Sequence, residues 1–408
     1  MKKNNIKILL LFGFFSNLFF ERSIWILYLQ QKGFSIYEIS LIQIALNATM
    51  FLFEIPSGKI ADRLGRKNII LLGGLFAVIY LFLMLHISNL IMAFSAFIIF
   101  GFALALISGA DRALLYDDLH YQNKQQHYHK IFGLYNALSI GALAFSSFIG
   151  GWIADQQYWD WVFYLGIAAQ FIAFGLMMTV GDVYLAQKTQ GETVAADGAV
   201  DLQEIEVRSK KALFFMLIAH PVALLILVIG ILQGVFSSIA LYYQEILAEF
   251  SINMALIGLV YSGSFIFSAF SSVISGHIAE KITEQKSIII FLVMLCLMLM
   301  VSYVFPSASM MIIQFVFLLI CYEIIDTSLN VILNHRIASD QRSFLQSVAN
   351  SLGSLIMVGT FGLIGYFSEQ YVLSKLITLY AILAAVIALG LFIYYLRRER
   401  KSITIHEE

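Results

Sequence analysis

The sequence predicts an all-α integral membrane protein, with twelve transmembrane helices in two similar six-helix halves and both chain ends on the cytoplasmic side. Three observations predict it. The chain is 60% hydrophobic and only 12% charged, its apolar residues fall into twelve runs long enough to span a bilayer, and one pattern recurs half a chain apart.

Soluble domains carry about 25% charged residues. A soluble chain this apolar would expose large sticky patches, whereas lipid tolerates such a surface. With 35 Phe, 20 Tyr and only 3 Pro, the chain is expected to form long and mostly uninterrupted helices. Cys296 and Cys321 both lie inside apolar runs, so they read as small buried hydrophobes, not as a disulfide or a metal site. A net charge of −1 gives no reason to expect nucleic acid as a partner. The segment from Met1 to Lys7 and the apolar run after it mimic a signal peptide. No small-residue cleavage site follows, and Glu21 and Arg22 interrupt the run, so it is taken as the first transmembrane helix.

A spanning helix needs about 20 predominantly apolar residues. Such runs occur at 7–31, 36–57, 68–86, 90–115, 131–154 and 160–181, then at 221–246, 253–276, 287–305, 308–333, 343–367 and 371–396. The hydrophilic stretch between the sets includes a low-complexity piece, Gly191 to Gly198, that reads as a flexible linker. The expected division is a bundle over 1–181, a cytoplasmic linker over 182–211, a second bundle over 212–396 and a tail over 397–408. Lys and Arg set the orientation. With the N-terminus inside, the outer loops hold only Lys32 and Lys375, and Arg22 and Arg112 fall within spans; the rest of the 25 basic residues lie inside.

Gly58-Lys-Ile-Ala-Asp-Arg-Leu64 follows the second run, and Gly276-His-Ile-Ala-Glu-Lys-Ile282 follows the eighth, 218 residues later. Both copies lie on the same side, so the halves form a parallel repeat. The first copy continues as Gly65-Arg66-Lys67. Gly58 to Lys67 resembles the signature that major facilitator transporters carry between their second and third helices, and the resemblance extends over the whole chain. It implies two pseudo-symmetric six-helix bundles and alternating access, with Gly58, Asp62, Arg63, Gly65, Arg66 and Lys67 in a cytoplasmic gate. It further implies that Asp62 meets the start of the eleventh helix near Arg342 to Gln346, and that Arg66 reaches an acid at the end of the fourth helix, for which Asp117 is the choice. Glu54, one turn before Gly58, reads as a gate residue. In the second copy Thr283, Glu284 and Gln285 replace Gly-Arg-Lys, so its latch is expected to be weaker. Ser146, Ser147, Gly150 and Gly151 faintly resemble an antiporter element that lacks its proline here, and small residues so spaced read first as a packing surface.

Ionisable side chains at mid-bilayer cost about 2.5–3.5 kcal/mol on insertion scales and commonly face a watery cavity or a partner. Asn17, Glu21, Trp25 and Tyr28 share one face of a continuous first helix, with Arg22 about 100° away. Glu21 is the candidate for a proton or a cationic substrate; a structural ion pair is the bland alternative. Glu323, Asp326, Asn330 and Asn334 draw a second stripe along the tenth helix, either a cavity wall or proton path, or polar glue. Asp111 and Arg112 on the fourth helix stand equally for gate or site, and Gln233 adds a neutral contact on the seventh.

No Walker loop, dinucleotide fingerprint or Ser-His-Asp arrangement is present, so no enzyme is expected and the energy must come from an ion or solute gradient. The expected activity is proton-coupled export of a small amphipathic or drug-like molecule; the alternative is proton-coupled import of a sugar or amino acid. The expected partners are that solute, protons and the bilayer, with no cofactor and no metal. The expected setting is a monomer, multi-pass in a cell membrane, with a bacterial inner membrane suggested by the short loops and the absence of a targeting extension.

Overall fold

The computed structural model describes residues 5–122, 124–181, 221–337 and 342–407. The residues are helical almost throughout, and no strand occurs among those described. In chain order the helices are α1 (Asn5–Phe15), α2 (Trp25–Gln31), α3 (Ile36–Leu64), α4 (Arg66–Leu85), α5 (Leu90–Ile107), α6 (Ala110–Tyr121), α7 (Tyr128–Asp155) and α8 (Trp159–Thr179). They continue as α9 (Pro221–Glu249), α10 (Met254–Ile282), α11 (Glu284–Val304), α12 (Ala308–Arg336), α13 (Arg342–Ser368) and α14 (Leu373–Glu407). Eleven segments are long and apolar enough to cross a membrane, and α1 with α2 forms a further span in two pieces. The linker expected over 182–211 lies outside the described residues.

The chain divides into two compact units. Unit 1 comprises 1–192, 242–269 and 361–371; unit 2 comprises 193–241, 270–360 and 372–408. In unit 1, α5 packs on α3 and α4, α4 on α8, and α1 on α7 and α8. In unit 2, α11 lies between α12 and α14.

Helix starts follow their sequence. Ser35 and Glu38 form a capping box at α3, and the side chains of Asn89 and Ser307 accept the Met92 and Met310 N–H groups at α5 and α12. Both copies of the repeated motif turn alike. Gly65 sits at φ 88° and ψ 142° between α3 and α4, and Thr283 at φ 66° and ψ 150° between α10 and α11. Glycine adopts this region freely, whereas a β-branched residue is strained there by about 1–3 kcal/mol. Thr283→Gly is therefore expected to raise the melting temperature by about 1–3 °C, since the relief exceeds the added entropy of the unfolded chain. A thermal scan of the purified pair checks it, and a lower melting temperature for the variant would refute the strain.

Two expectations of continuity are corrected. The first span breaks between Phe15 and Trp25, and the fourth bends at Ser108 and Gly109, after which α6 runs on to Tyr121. Neither break contains proline. Ser16 and Asn17 open the first, where short polar side chains compete for the backbone: the Asn17 amide donates to the Gly13 carbonyl at 2.8 Å.

Candidate functional site: the broken first span

Breaking a helix inside a membrane frees backbone groups that only protein or water can satisfy. Here α8 and α9 meet freed groups and α7 braces the segment. Gln170 on α8 donates to the Ser16 carbonyl at 3.1 Å, and the Ser23 hydroxyl donates to the Ser147 carbonyl on α7 at 3.1 Å. The backbone of Phe20 lies directly against Gly150 of α7, where no side chain could fit.

The third helix contributes Gln244. Its Oε1 accepts the Ile26 N–H at 3.0 Å, and its Nε2 donates to the Arg22 carbonyl at 3.0 Å. In an unbroken helix the Ile26 N–H would bond the Arg22 carbonyl directly. The Gln244 amide is thus inserted into that one hydrogen bond and restores both of its halves. Gln244 is completely buried.

Around this insertion unit 1 closes through small residues. Gly151 on α7 meets Gly258 on α10, the Ser147 carbonyl also touches Gly258, and Gly365 on α13 packs on Ser40 of α3. The Ser40 hydroxyl shares a 2.6 Å hydrogen bond with Tyr242, and Asp155 accepts the Met254 N–H at 3.1 Å. Ile26 and Gln244 are 218 residues apart. The same offset carries Ser40 to Gly258 and Ser147 to Gly365, so the two glycine contacts are one contact repeated by the internal symmetry.

Glu21 lies inside this break. The residue is 3% exposed, and its Oε2 has no hydrogen-bond partner. The Tyr80 hydroxyl on α4 is its hydrogen-bonding neighbour. Arg22, next in sequence, is exposed. The expected stripe of Asn17, Glu21, Trp25 and Tyr28 does not form, because the face it required belongs to a helix that is interrupted. Trp25 and Tyr28 are 5% and 2% exposed and serve the core: Trp25 tilts against Phe97, and the Tyr28 hydroxyl donates to the Met84 carbonyl at 2.9 Å.

The gate residues fall at the α3–α4 turn. Arg66 is ion-paired with Asp117 of α6 and also donates to the Ala113 carbonyl at 2.8 Å. Lys67 donates to the Met178 carbonyl at 2.7 Å. Glu54 and Gly58 are exposed. The side chains of Asp62, Arg63 and Arg342 lie outside the described residues, and with them the contact implied for Asp62. Asp111 stands in the first turn of α6, where the helix dipole favours an acid, and accepts the Tyr135 hydroxyl at 2.8 Å. Arg112 lies over the Phe132 ring.

In unit 2, Asp326 accepts an amide hydrogen of Asn330 at 3.0 Å, and the Asn330 carbonyl oxygen accepts Gln346 of α13 at 2.9 Å. Glu323 and Tyr322 lie one turn away on α12, and Gln233 of α9 packs against Gly353. A cavity of about 210 Å³ opens between α10 and α12, lined by Ser275, Glu280, Glu284 and Thr327. Among the described residues no cluster of His, Cys, Asp and Glu could hold a metal ion.

Sequence reasoning gave Gln244 no special weight and passed over Gln170, Asp118 and Tyr80. Asp118, 3% exposed, accepts the Asn5 amide at 2.9 Å and ties α6 to α1. The one usable signal was arithmetic: Gln244 is the repeat equivalent of Ile26.

Buried polar groups at an interrupted span are a construction that membrane transporters use. The family model of the Major Facilitator Superfamily matches residues 9–247 and 224–407, and the chain belongs to that superfamily. It is a transporter and not an enzyme. No curated protein sequence matches it. Its fold is similar to that of a mutant of the nucleoside transporter NupG, with a TM-score of 0.77 at 14% identity over 97% of this chain and 100% of that one. A POT family transporter in complex with a thioalcohol-conjugated peptide gives 0.68 at 14% identity over 97% and 96%. A D-xylose-proton symporter gives 0.67 at 12% identity over 94% and 95%.

Proposed function

We propose that this transporter couples the movement of a small solute to that of protons by alternating access, and that Glu21 is the carboxyl that carries the proton. The observation behind this reading is the state of Glu21: buried in a broken span, with one oxygen lacking any partner. An ionised carboxylate in such surroundings is penalised unless it is paired, and a neutral one is not. A group of this kind gains a proton while enclosed and loses it when water or a cation reaches it. Enclosure also leaves no room for a bulky cationic solute on Glu21. Asp326 is the weaker candidate, because Asn330 already serves its carboxylate.

In proteoliposomes with a pH-sensitive dye, solute-evoked proton movement is expected in the wild type and is expected to vanish in Glu21→Gln, while solute exchange persists. Wild-type proton movement in that variant would remove Glu21 from the mechanism. The sign of the proton movement relative to the solute distinguishes export by exchange from co-transport. The burial of Trp25 and Tyr28 takes away the aromatic lining that made an amphipathic cation attractive as the exported solute.

A further inference from the structure

Arg22 carries a charge that the rest of the structure leaves unused. Its carbonyl is held by Gln244, so its backbone is fixed, yet its side chain is exposed. Its guanidinium makes no ion pair or hydrogen bond with any described residue. Three other described arginines at span ends or bends are engaged: Arg66 with Asp117, Arg336 with Glu399, and Arg112 over Phe132. The residues on either side of Arg22 are buried, Glu21 to 3% and Ser23 completely. The titratable groups around Arg22 are Glu21, Tyr80 of α4 and Tyr261 of α10, and both tyrosines are buried. An arginine facing acyl chains at mid-bilayer depth is among the costliest placements in a membrane, which favours a watery recess over lipid around this side chain. An exposed cation with a fixed backbone and five N–H donors in the first span of a transporter suits a carboxylate or phosphate bidentately.

We propose that Arg22 is the binding residue for an anionic solute, a carboxylate or a phosphate ester, and that this solute and a proton bind together. The first half rests only on the chain being a transporter; the second rests on Glu21 as the proton carrier. The coupling is electrostatic. Glu21 and Arg22 are adjacent, with Cα atoms about 3.8 Å apart. An ionised Glu21 offsets the charge of Arg22 and repels an incoming anion. A protonated Glu21 does neither, so the anion binds about tenfold tighter or more. By linkage the anion favours the proton to the same degree, which makes co-transport, not exchange, the natural cycle.

Thermal stabilisation of the purified full chain by benzenesulfonate, sulfate and lactate tests this, set against tetraphenylphosphonium, xylose and uridine at mildly acidic and mildly alkaline pH. Benzenesulfonate does not titrate in that range. At least one anion is expected to stabilise the wild type, more strongly at acidic pH. In Glu21→Gln the stabilisation should persist and lose its pH dependence; in Arg22→Gln it should vanish while the unliganded melting temperature holds. Stabilisation of Arg22→Gln equal to wild type overturns the site, as does a panel in which no anion stabilises the wild type. Anion binding through Arg22 without any pH dependence keeps the anion site and overturns the coupling. Loss of proton flux in Glu21→Gln beside a failed anion panel would leave the proton reading standing alone.

Discussion

Gly150→Ala should destabilise the protein by about 1–3 kcal/mol or prevent it from folding, the cost of an added methyl group in a packed core. A Cβ at this position runs into the carbonyl and Cα of Phe20. Those atoms belong to the backbone of the broken segment, which Gln170, Ser147 and Gln244 hold from three sides. No flexible side-chain end is available to give way. Gly141→Ala, about two and a half turns earlier in α7, is the matched control: its Cβ meets nothing within 4 Å. Alanine is favoured over glycine in a helix interior by about 1 kcal/mol, so that variant should be unchanged or slightly more stable. The pair is read by melting temperature and monodisperse yield in one detergent. Equal stability of the two variants would mean that the segment does not rest on Gly150.

Gln244→Leu should loosen the closed end of unit 1. The substitution keeps the volume but leaves the Ile26 N–H and the Arg22 carbonyl without their partner. Each orphaned buried group costs about 1–3 kcal/mol, so the penalty is roughly 2–6 kcal/mol in the closed arrangement alone. Water can serve both groups once the closure parts, and the equilibrium should move toward the parted state. Ser40 reports on it, since it is 1% exposed and packs on Gly365 and Tyr242. With Cys296 and Cys321 replaced by alanine, a cysteine at position 40 should react with an impermeant maleimide at least tenfold faster when Gln244→Leu is present. The orientation expected from the distribution of Lys and Arg has this end facing outside, so the reagent is added there. An unchanged labelling rate would show that the insertion of Gln244 is not what holds this end shut.

The membrane class, the span count, the repeat and the family were legible because each depends on local chemistry. Apolar length identifies a span, and Gly58 to Lys67 is a contiguous motif. The left-handed turn at Gly65 could be read from the residue itself, and its counterpart at Thr283 only from the 218-residue offset. The candidate site was legible in kind but not in geometry. Glu21 and Arg22 stood out as charges in an apolar run; which was enclosed and which was exposed did not follow from a helical wheel, because the wheel assumed a helix.

The division has a physical reason. By itself the sequence determined that this chain enters a membrane, folds as helices and repeats itself, since water, lipid and the peptide backbone act on every segment separately. Tertiary structure decided where the first helix stops. A break at Ser16 to Ile24 is tolerable only if Gln170 and Gln244 arrive to satisfy its backbone and Gly150 and Ser147 to seat it, and they come from α7, α8 and α9, up to 222 residues away. No local pattern encodes that arrival, and the site exists only where it happens.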